Sequence, residues 1–368
     1  MRTVRRLLYR DIASSVMFVA LAFLSLFFFI DFVDELDKVG DSGPWQAVRS
    51  AALELPGHFY ELFPIAVLIG TIYSLSRMAQ SSEYTILRTG GLGPGRALGL
   101  LAVLGLAFGL LTFVVGDFVA PASERQVVVQ KARASGGLQL VGGGAWLKER
   151  RSTPAGERSY SVSVGGATAA GALLWIRIFE FDADGGLLSR TEASEGRVGA
   201  DGTWTLVNAN VATWPPARTP GTPQVQISHL ATLDWPSTLT AQVVAAAVLP
   251  LSTMTTAELW RYSAHLSDQE QAAQRNEIRF WKKALYPLAC LVMVALALPF
   301  AYLHARAGSV SFKVFGGIML GISFLLLNNL AGHIGVLRSW TPWVVAATPS
   351  LIYLLLSMAA FTWLVRYR

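Results

Sequence analysis

The chain has 368 residues, is 53% hydrophobic and only 15% charged, and carries a formal net charge of +6 with a mean hydropathy of +0.44. That composition is too apolar and too poor in charge for an ordinary soluble protein of this length, so membrane spans are the first thing to seek. The single Cys290 excludes a disulfide framework.

The N-terminal "MRTVRRLLYR" is basic and leads into an uncharged run at 12–30. This run is longer than a signal-peptide core, and "DFVDELDK" follows in place of a small-residue cleavage site, which predicts a retained anchor. The next apolar run, 62–76, is short, but extension from Gly57 to Ala79 gives a span with Glu61 and Arg77 near its ends. Further spans are predicted at 97–116, 284–303, 314–337 and 339–365, each long enough to cross roughly 30 Å of hydrocarbon. Six helices result, in two groups of three.

Between spans two and three lies "RMAQSSEYTILRTGGLGPGR", residues 77–96, too polar for membrane and too short for a domain. Ser81 or Ser82 can cap a helix start, Glu83 lies in the first turn where the helix dipole favours an anion, and Gly90-Gly91 can end it in a left-handed conformation. The two turns so defined, 82–89, are marginal alone in water. A docking partner would supply the missing stability and would meet a knob of Glu83, Tyr84, Leu87 and Arg88; a surface loop with one helical turn is the other reading.

Residues 122–279 alternate as strands do. In "QVQISHLATLDW" Val225, Ile227, His229, Ala231, Leu233 and Trp235 share one face, which predicts His229 as a satisfied core residue. "LLWIRIFEF" and "TWTLVNANVATW" are also strand-like, and Asp184-Gly185-Gly186 and Asp201-Gly202 are turn signals. Six to eight strands fit one β-sandwich or β-roll. The chain is thus divided at 1–121 (spans one to three), 122–279 (the β domain) and 280–368 (spans four to six).

Lys and Arg gather at the N-terminus, the 77–96 loop, Arg306, Lys313, Arg366 and Arg368, whereas the opposite short loops hold only Lys38, Arg49 and Arg338. The positive-inside rule puts both termini and the 77–96 loop in the cytoplasm and the β domain outside. Cations nevertheless gather where that domain meets the spans: Arg125, Lys131 and Arg133 after span three, and Arg275, Arg279, Lys282 and Lys283 at i, i+4, i+7 and i+8 on one helix face before span four. They suit either the phosphates of an anionic lipid or plain headgroup anchoring.

Gly95/Gly99, Gly105/Gly109 and Gly317/Gly321 are G-x-x-x-G pairs that let helix backbones approach, as static packing or as a mobile seam. Asn328-Asn329 and His333 put polar groups in span five, as interhelical hydrogen bonds or a gate lining. The five histidines have no metal-ligand spacing to one another, and neither a phosphate-binding G-x-x-x-x-G-K-[ST] loop nor a G-x-S-x-G nucleophile elbow is present. No catalytic or metal residue is therefore assigned, and any ATP that drives this protein must bind another chain.

"FVDELDKVG", "LFPIAVLIGTIYSLSRMAQSSEYTILRTGG", "VAPASER" and "WKKALYPLACLVMVALALPF" together resemble the lipopolysaccharide export permease family, the LptF/LptG group of ABC transporter membrane subunits. "GISFLLLNNLAGHIG" looks more like its G-type than its F-type subunits. The resemblance implies a membrane α-helical fold with an inserted periplasmic all-β jellyroll-like domain, in a Gram-negative inner membrane. It implies a complex with an F-type permease subunit, a cytoplasmic ATPase dimer that holds ATP and Mg, and a periplasmic or bitopic jellyroll protein. The cargo would be lipopolysaccharide, with no nucleic acid and no cofactor on this chain. By that resemblance 82–89 is the coupling helix, and Lys38 and Lys131 match basic positions near the lipid cavity; with Arg133, Arg275, Arg279 and Lys282 from the cation clusters they are the lipid-phosphate candidates. Spans one and five would form a side opening, with Phe28, Phe32, Gly317, Gly321, Phe324 and Asn328 as its candidate residues. Asp31 and Asp37 depart from the pattern, standing where lysine is common, which weakens a lipid site on span one.

The physical task agrees with such a carrier. Each methylene exposed to water costs roughly 0.8 kcal/mol, so a lipid with many acyl carbons cannot cross an aqueous space bare. A membrane-anchored periplasmic enzyme and a non-transporting scaffold are the rival readings.

Overall fold

The protein is described from a computed structural model, which covers residues 2–39, 44–134, 138–139, 145–153, 156–167, 172–199, 202–214, 225–239, 253–265, 270–302 and 310–366. Side chains in parts of these segments, including those of Lys38, Lys131 and Arg133, are outside the description. Two compact units result, residues 1–124 with 254–368, and residues 125–253.

The helical unit contains α1 (Arg2–Val39), α2 (Pro44–Gln80), α3 (Glu83–Thr89) and α4 (Pro94–Val114). A π-helical turn, Val115–Val119, then leads into α5 (Ala120–Ala134). After the β unit come α6 (Thr256–His265), α7 (Glu270–Tyr302), α8 (Val310–Leu337) and α9 (Pro342–Arg366). Six of the helices are long and apolar enough to cross a membrane. Several exceed the apolar run that marks them: α7 begins at Glu270, so the helix that enters span four is continuous with it. The second compact unit stops at 253, short of the 279 boundary read from the sequence, because α6 and the start of α7 pack within the helical unit.

The centre of this unit is α2, which packs against α1, α7 and α8, while α7 also packs against α4 and α9. Small residues permit the close crossings, as expected where apolar side chains have little to gain from leaving lipid. A Cβ on Gly70 of α2 would come within 2.5 Å of the Val16 backbone of α1, and one on Gly109 of α4 within 2.7 Å of the Pro287 carbonyl of α7. Gly317 and Gly321 of α8 face Ile72 and Ile65 of α2. The Gly95/Gly99 pair differs from expectation: among the described residues, nothing lies within 4 Å of a Cβ placed at either position.

A buried acid fixes the start of α6. Asp117, in the π-turn, accepts hydrogen bonds from the Thr256 backbone N–H and hydroxyl, both at 2.6 Å, and Lys283 Nζ lies 3.9 Å away. Thr255 and Glu258 add a reciprocal capping box, Thr255 N–H to Glu258 at 2.8 Å and Glu258 N–H to the Thr255 hydroxyl at 3.2 Å.

The β unit is one antiparallel sheet whose long strands pair in sequence order. It comprises β1 (Leu138–Gln139), β2 (Ala145–Thr153), β3 (Gly156–Ala167), β4 (Leu173–Phe181), β5 (Leu187–Val198), β6 (Thr203–Thr213) and β7 (Gln226–Pro236). The β4–β5 turn is the one marked by Asp184-Gly185-Gly186: Gly185 takes φ +82°, and the Asp182 carboxylate accepts from the N–H groups of Asp184 and Gly186.

The sheet curls until its two edges meet, so of sandwich and roll the described residues form the roll. Glu149 on β2 accepts from the Ser237 hydroxyl at 2.7 Å and the Thr238 N–H at 2.8 Å, just beyond β7. Arg151 lies over the rings of Tyr160 and Trp235, at 4.1 and 4.9 Å from their centroids. Inside, Trp204, Val162, Val164, Ile176 and Leu206 are fully buried, and Trp204 Nε1 donates to the Leu239 carbonyl at 3.2 Å. His229 is a correction. It is exposed and hydrogen-bonds Asn210, because most of β7 lies at a sheet edge and only Leu233 and Trp235 of its apolar face pack on the core.

Candidate functional site

The short helix α3 forms for a reason other than the cap its sequence suggests. Ser82 adopts φ 60° and offers no side-chain cap, and the Ser81 hydroxyl turns back to the Met78 carbonyl at 3.3 Å. The C-terminus supplies the order instead. The Leu92 N–H donates to Leu87 O at 3.0 Å and the Gly91 N–H to Arg88 O at 3.2 Å, while Gly91 takes φ +99°. This is a Schellman closure, with buried Leu92 and half-buried Leu87 joining the helical core beside it.

The four residues of the predicted knob point in different directions. Glu83 and Arg88 are exposed, Leu87 is half-buried, and Tyr84 is buried. The Tyr84 ring meets Tyr302 at the end of α7 edge-on at 5.5 Å, and Tyr302 meets Phe361 of α9 at 5.7 Å. Burial, followed by the contact with Tyr302, pushes the Tyr84 phenol above its ordinary value, so it remains neutral. Arg88 lies over the other side of this junction, its guanidinium 5.9 Å from the Tyr302 centroid. Ile86, missed in the sequence because two helical turns are too short to show a periodicity, is the large apolar residue left outside at 66% exposure. The outward face is therefore Glu83, Ile86 and Arg88; the inward face is a ring-on-ring path to two spans.

The phosphate candidates also separate. Lys282 donates to the Asn328 carbonyl of α8, whereas Lys283 donates to the Met254 carbonyl at 2.5 Å and lies beside Asp117. One residue along a helix turns a side chain by about 100°, enough to send these neighbours to different partners. Arg275 and Arg279 are exposed on α7. Lys38 lies near the end of α1, and Lys131 and Arg133 lie in α5; their side chains are outside the description.

The gate candidates are divided between interior and surface. Gly317 and Gly321 seat α8 on α2, and Phe324 is buried against Tyr353 of α9 with ring centroids 5.3 Å apart. Asn328 uses its carbonyl for Lys282, and His333 Nδ1 lies 2.9 Å from the Asn329 carbonyl. Phe28 and Phe32 stack on one another along α1. Between α1 and α8, above α2, runs a groove of about 490 Å³ lined by Ser14, Ser15, Phe18, Val19, Ile69, Tyr73 and Val314. Beyond it, α8 exposes Phe312, Phe315, Met319, Ile322, Leu326 and Leu330, a stripe that the glycine pattern did not indicate.

Three curated LptG proteins match nearly the whole chain. The "Lipopolysaccharide export system permease protein LptG" of Haemophilus influenzae is 26% identical over 361 residues, covering 96% of each chain. The protein of the same name from Escherichia coli K12 is 25% identical over 359 residues, again covering 96% of each. A family model described as "Lipopolysaccharide export system permease LptF/LptG" matches residues 6–365. With six apolar helices and a β domain inserted between the third and fourth of them, the chain belongs to the LptF/LptG family of lipopolysaccharide export permeases.

Proposed function

We propose that this chain is the G-type permease subunit of an ABC transporter that extracts lipopolysaccharide from the outer leaflet of the inner membrane. Energy enters through α3, which seats its Glu83, Ile86 and Arg88 face in a cytoplasmic ATPase dimer that binds ATP and Mg. Both termini are cytoplasmic and the β unit is periplasmic, in keeping with the distribution of Lys and Arg. The lipid enters sideways between α1 and α8 at the seam with an F-type subunit, its phosphates meeting cations such as Arg275 and Arg279. It leaves to a periplasmic jellyroll bridge. This chain contributes no catalytic group and no cofactor of its own.

The observation that carries the reading is the two-sided α3. A helix this short cannot hold its own shape, yet its inner ring, Tyr84, abuts Tyr302 and through it Phe361. A displacement of α3 must therefore be passed to α7 and α9, because close-packed rings shift between arrangements rather than compress.

The test is reconstitution with the partner ATPase and permease in vesicles loaded with lipopolysaccharide. Glu83→Ala and Ile86→Asp should each lower ATP-dependent lipid release by about tenfold or more, equivalent to at least about 1.4 kcal/mol, while the chain still assembles in the membrane. Unchanged release and unchanged coupled ATP hydrolysis in both variants would remove α3 from the energy path.

A further inference from the structure

Sequence spacing gave no metal site because it can only compare residues along one stretch. The fold brings a set together from two helices. Glu54 and His58 stand at i and i+4 on α2, so their side chains leave the same helix face. Asp31 reaches that face from α1, its carboxylate 2.8 Å from His58 Nε2. One ligand atom from each of the three lies within 4.8 Å of the others, and all three residues are half-buried. The Phe27 ring packs on the imidazole with centroids 4.8 Å apart, which restricts the ring plane while Nε2 faces the Asp31 carboxylate.

We propose that Asp31, Glu54 and His58 form a binding site for one divalent transition cation, Zn²⁺ or Mn²⁺, that ties the outer end of α1 to α2. The donor set is one imidazole nitrogen and two carboxylate oxygens, the mixed set those ions accept, and a three-residue site leaves a coordination position for water or an external oxygen. Ligand atoms around such an ion stand roughly 3 Å apart at metal–ligand distances of about 2.0–2.2 Å. The Asp31–His58 pair is already near that separation, and a Glu54 carboxylate oxygen lies within 4.8 Å of both. Two formal negative charges offset the ion, so its binding lowers the electrostatic cost of keeping two carboxylates near one another at the end of an apolar helix pair. The site is independent of the transport reading: it rests on the α1–α2 crossing alone.

The test uses the full-length chain in detergent, stripped with chelator and then titrated with Zn²⁺ and, separately, Mn²⁺. Metal content after dialysis and the thermal unfolding midpoint are read together. Retention of about one ion per chain is expected, with a raised midpoint. His58→Ala and Glu54→Gln should each lose both effects, while Asp34→Asn, outside the triad, keeps them. Because His58→Ala also removes packing against Phe27, His58→Gln serves as the second variant and should lose the ion at a metal-free midpoint near that of the unsubstituted chain. Retention of the same ion by the triad variants, or failure of either metal to be retained near one per chain, would overturn the site and leave an Asp31–His58 hydrogen bond alone.

Discussion

Helices α2 and α8 have similar apolar character but opposite surroundings. The most apolar window of α2 is 78% buried within the chain and that of α8 only 22%. In water this difference would be decided by side-chain hydrophobicity; in a bilayer it cannot be, since lipid tails accept Leu and Ile as readily as a protein interior does. Shape decides it. Gly70 admits the α1 backbone, and Ser74 and Ser76 keep the C-terminal half of α2 narrow, so neighbours close around it on three sides. On α8 the small residues, Gly317 and Gly321, occupy only the face toward α2, and the opposite face is bulky and uncovered. The first helix is a hub; the second is a boundary, available to lipid or to a partner subunit.

The contrast can be broken most sharply on α8 itself. Phe324→Ala should destabilise the chain by about 3 kcal/mol or more, since it empties a filled contact with Tyr353, whereas Leu326→Ala, two residues away on the uncovered face, should stay within about 0.5 kcal/mol. Thermal unfolding of the purified chain compares them; equal losses would mean that the two faces are packed alike. Next comes the hub: Gly70→Leu places a side chain against Val16 backbone and should cost about 3 kcal/mol, while Gly99→Leu, with open space around it, should be nearly silent.

The β unit repeats the contrast between closed interior and open edge on a smaller scale. Glu149→Gln weakens the seam where the roll closes, because a charged acceptor of two hydrogen bonds becomes neutral; a loss of about 1–3 kcal/mol is expected in chemical unfolding followed by tryptophan fluorescence. The smallest effect is pH-dependent. Burial acts to raise the Glu180 carboxyl, but hydrogen bonds from Ser189 and Arg158 and the Arg158 charge outweigh it and hold the group below the usual range. A carboxyl lowered by folding adds stability above its unfolded value, near 4.5, and loses that contribution as the pH falls through its folded value. A modest drop in β-unit stability on acidification below about pH 4.5 should follow, and it should shrink in Arg158→Ala.

Much of the helical architecture was legible because a bilayer imposes a length: an apolar run of about 20 residues admits few other interpretations. The end of α3 was legible at Gly90-Gly91 because only glycine takes the left-handed closure without strain. Its beginning was misread, since the serines that would cap a free helix are overridden here by a chain arriving directly from α2. The short helix α3 was found as a segment but not as a surface: whether Tyr84 or Ile86 faces outward depends on where α7 ends, at Tyr302, more than two hundred residues along the chain. The cation run in the first half of α7 was read as one face, and the fold assigned its last two members to different neighbours.

By itself, then, the sequence determined the number of spans, the place of the β insertion, its turns and the short helix between spans two and three, because each depends on local composition acting over a few residues. Only the tertiary structure decided which faces are covered, that the β sheet closes on itself through Glu149, and that Asp31 meets His58. Those outcomes depend on contacts between distant segments, and two positions of similar composition acquire different roles once one has a neighbour and the other has none.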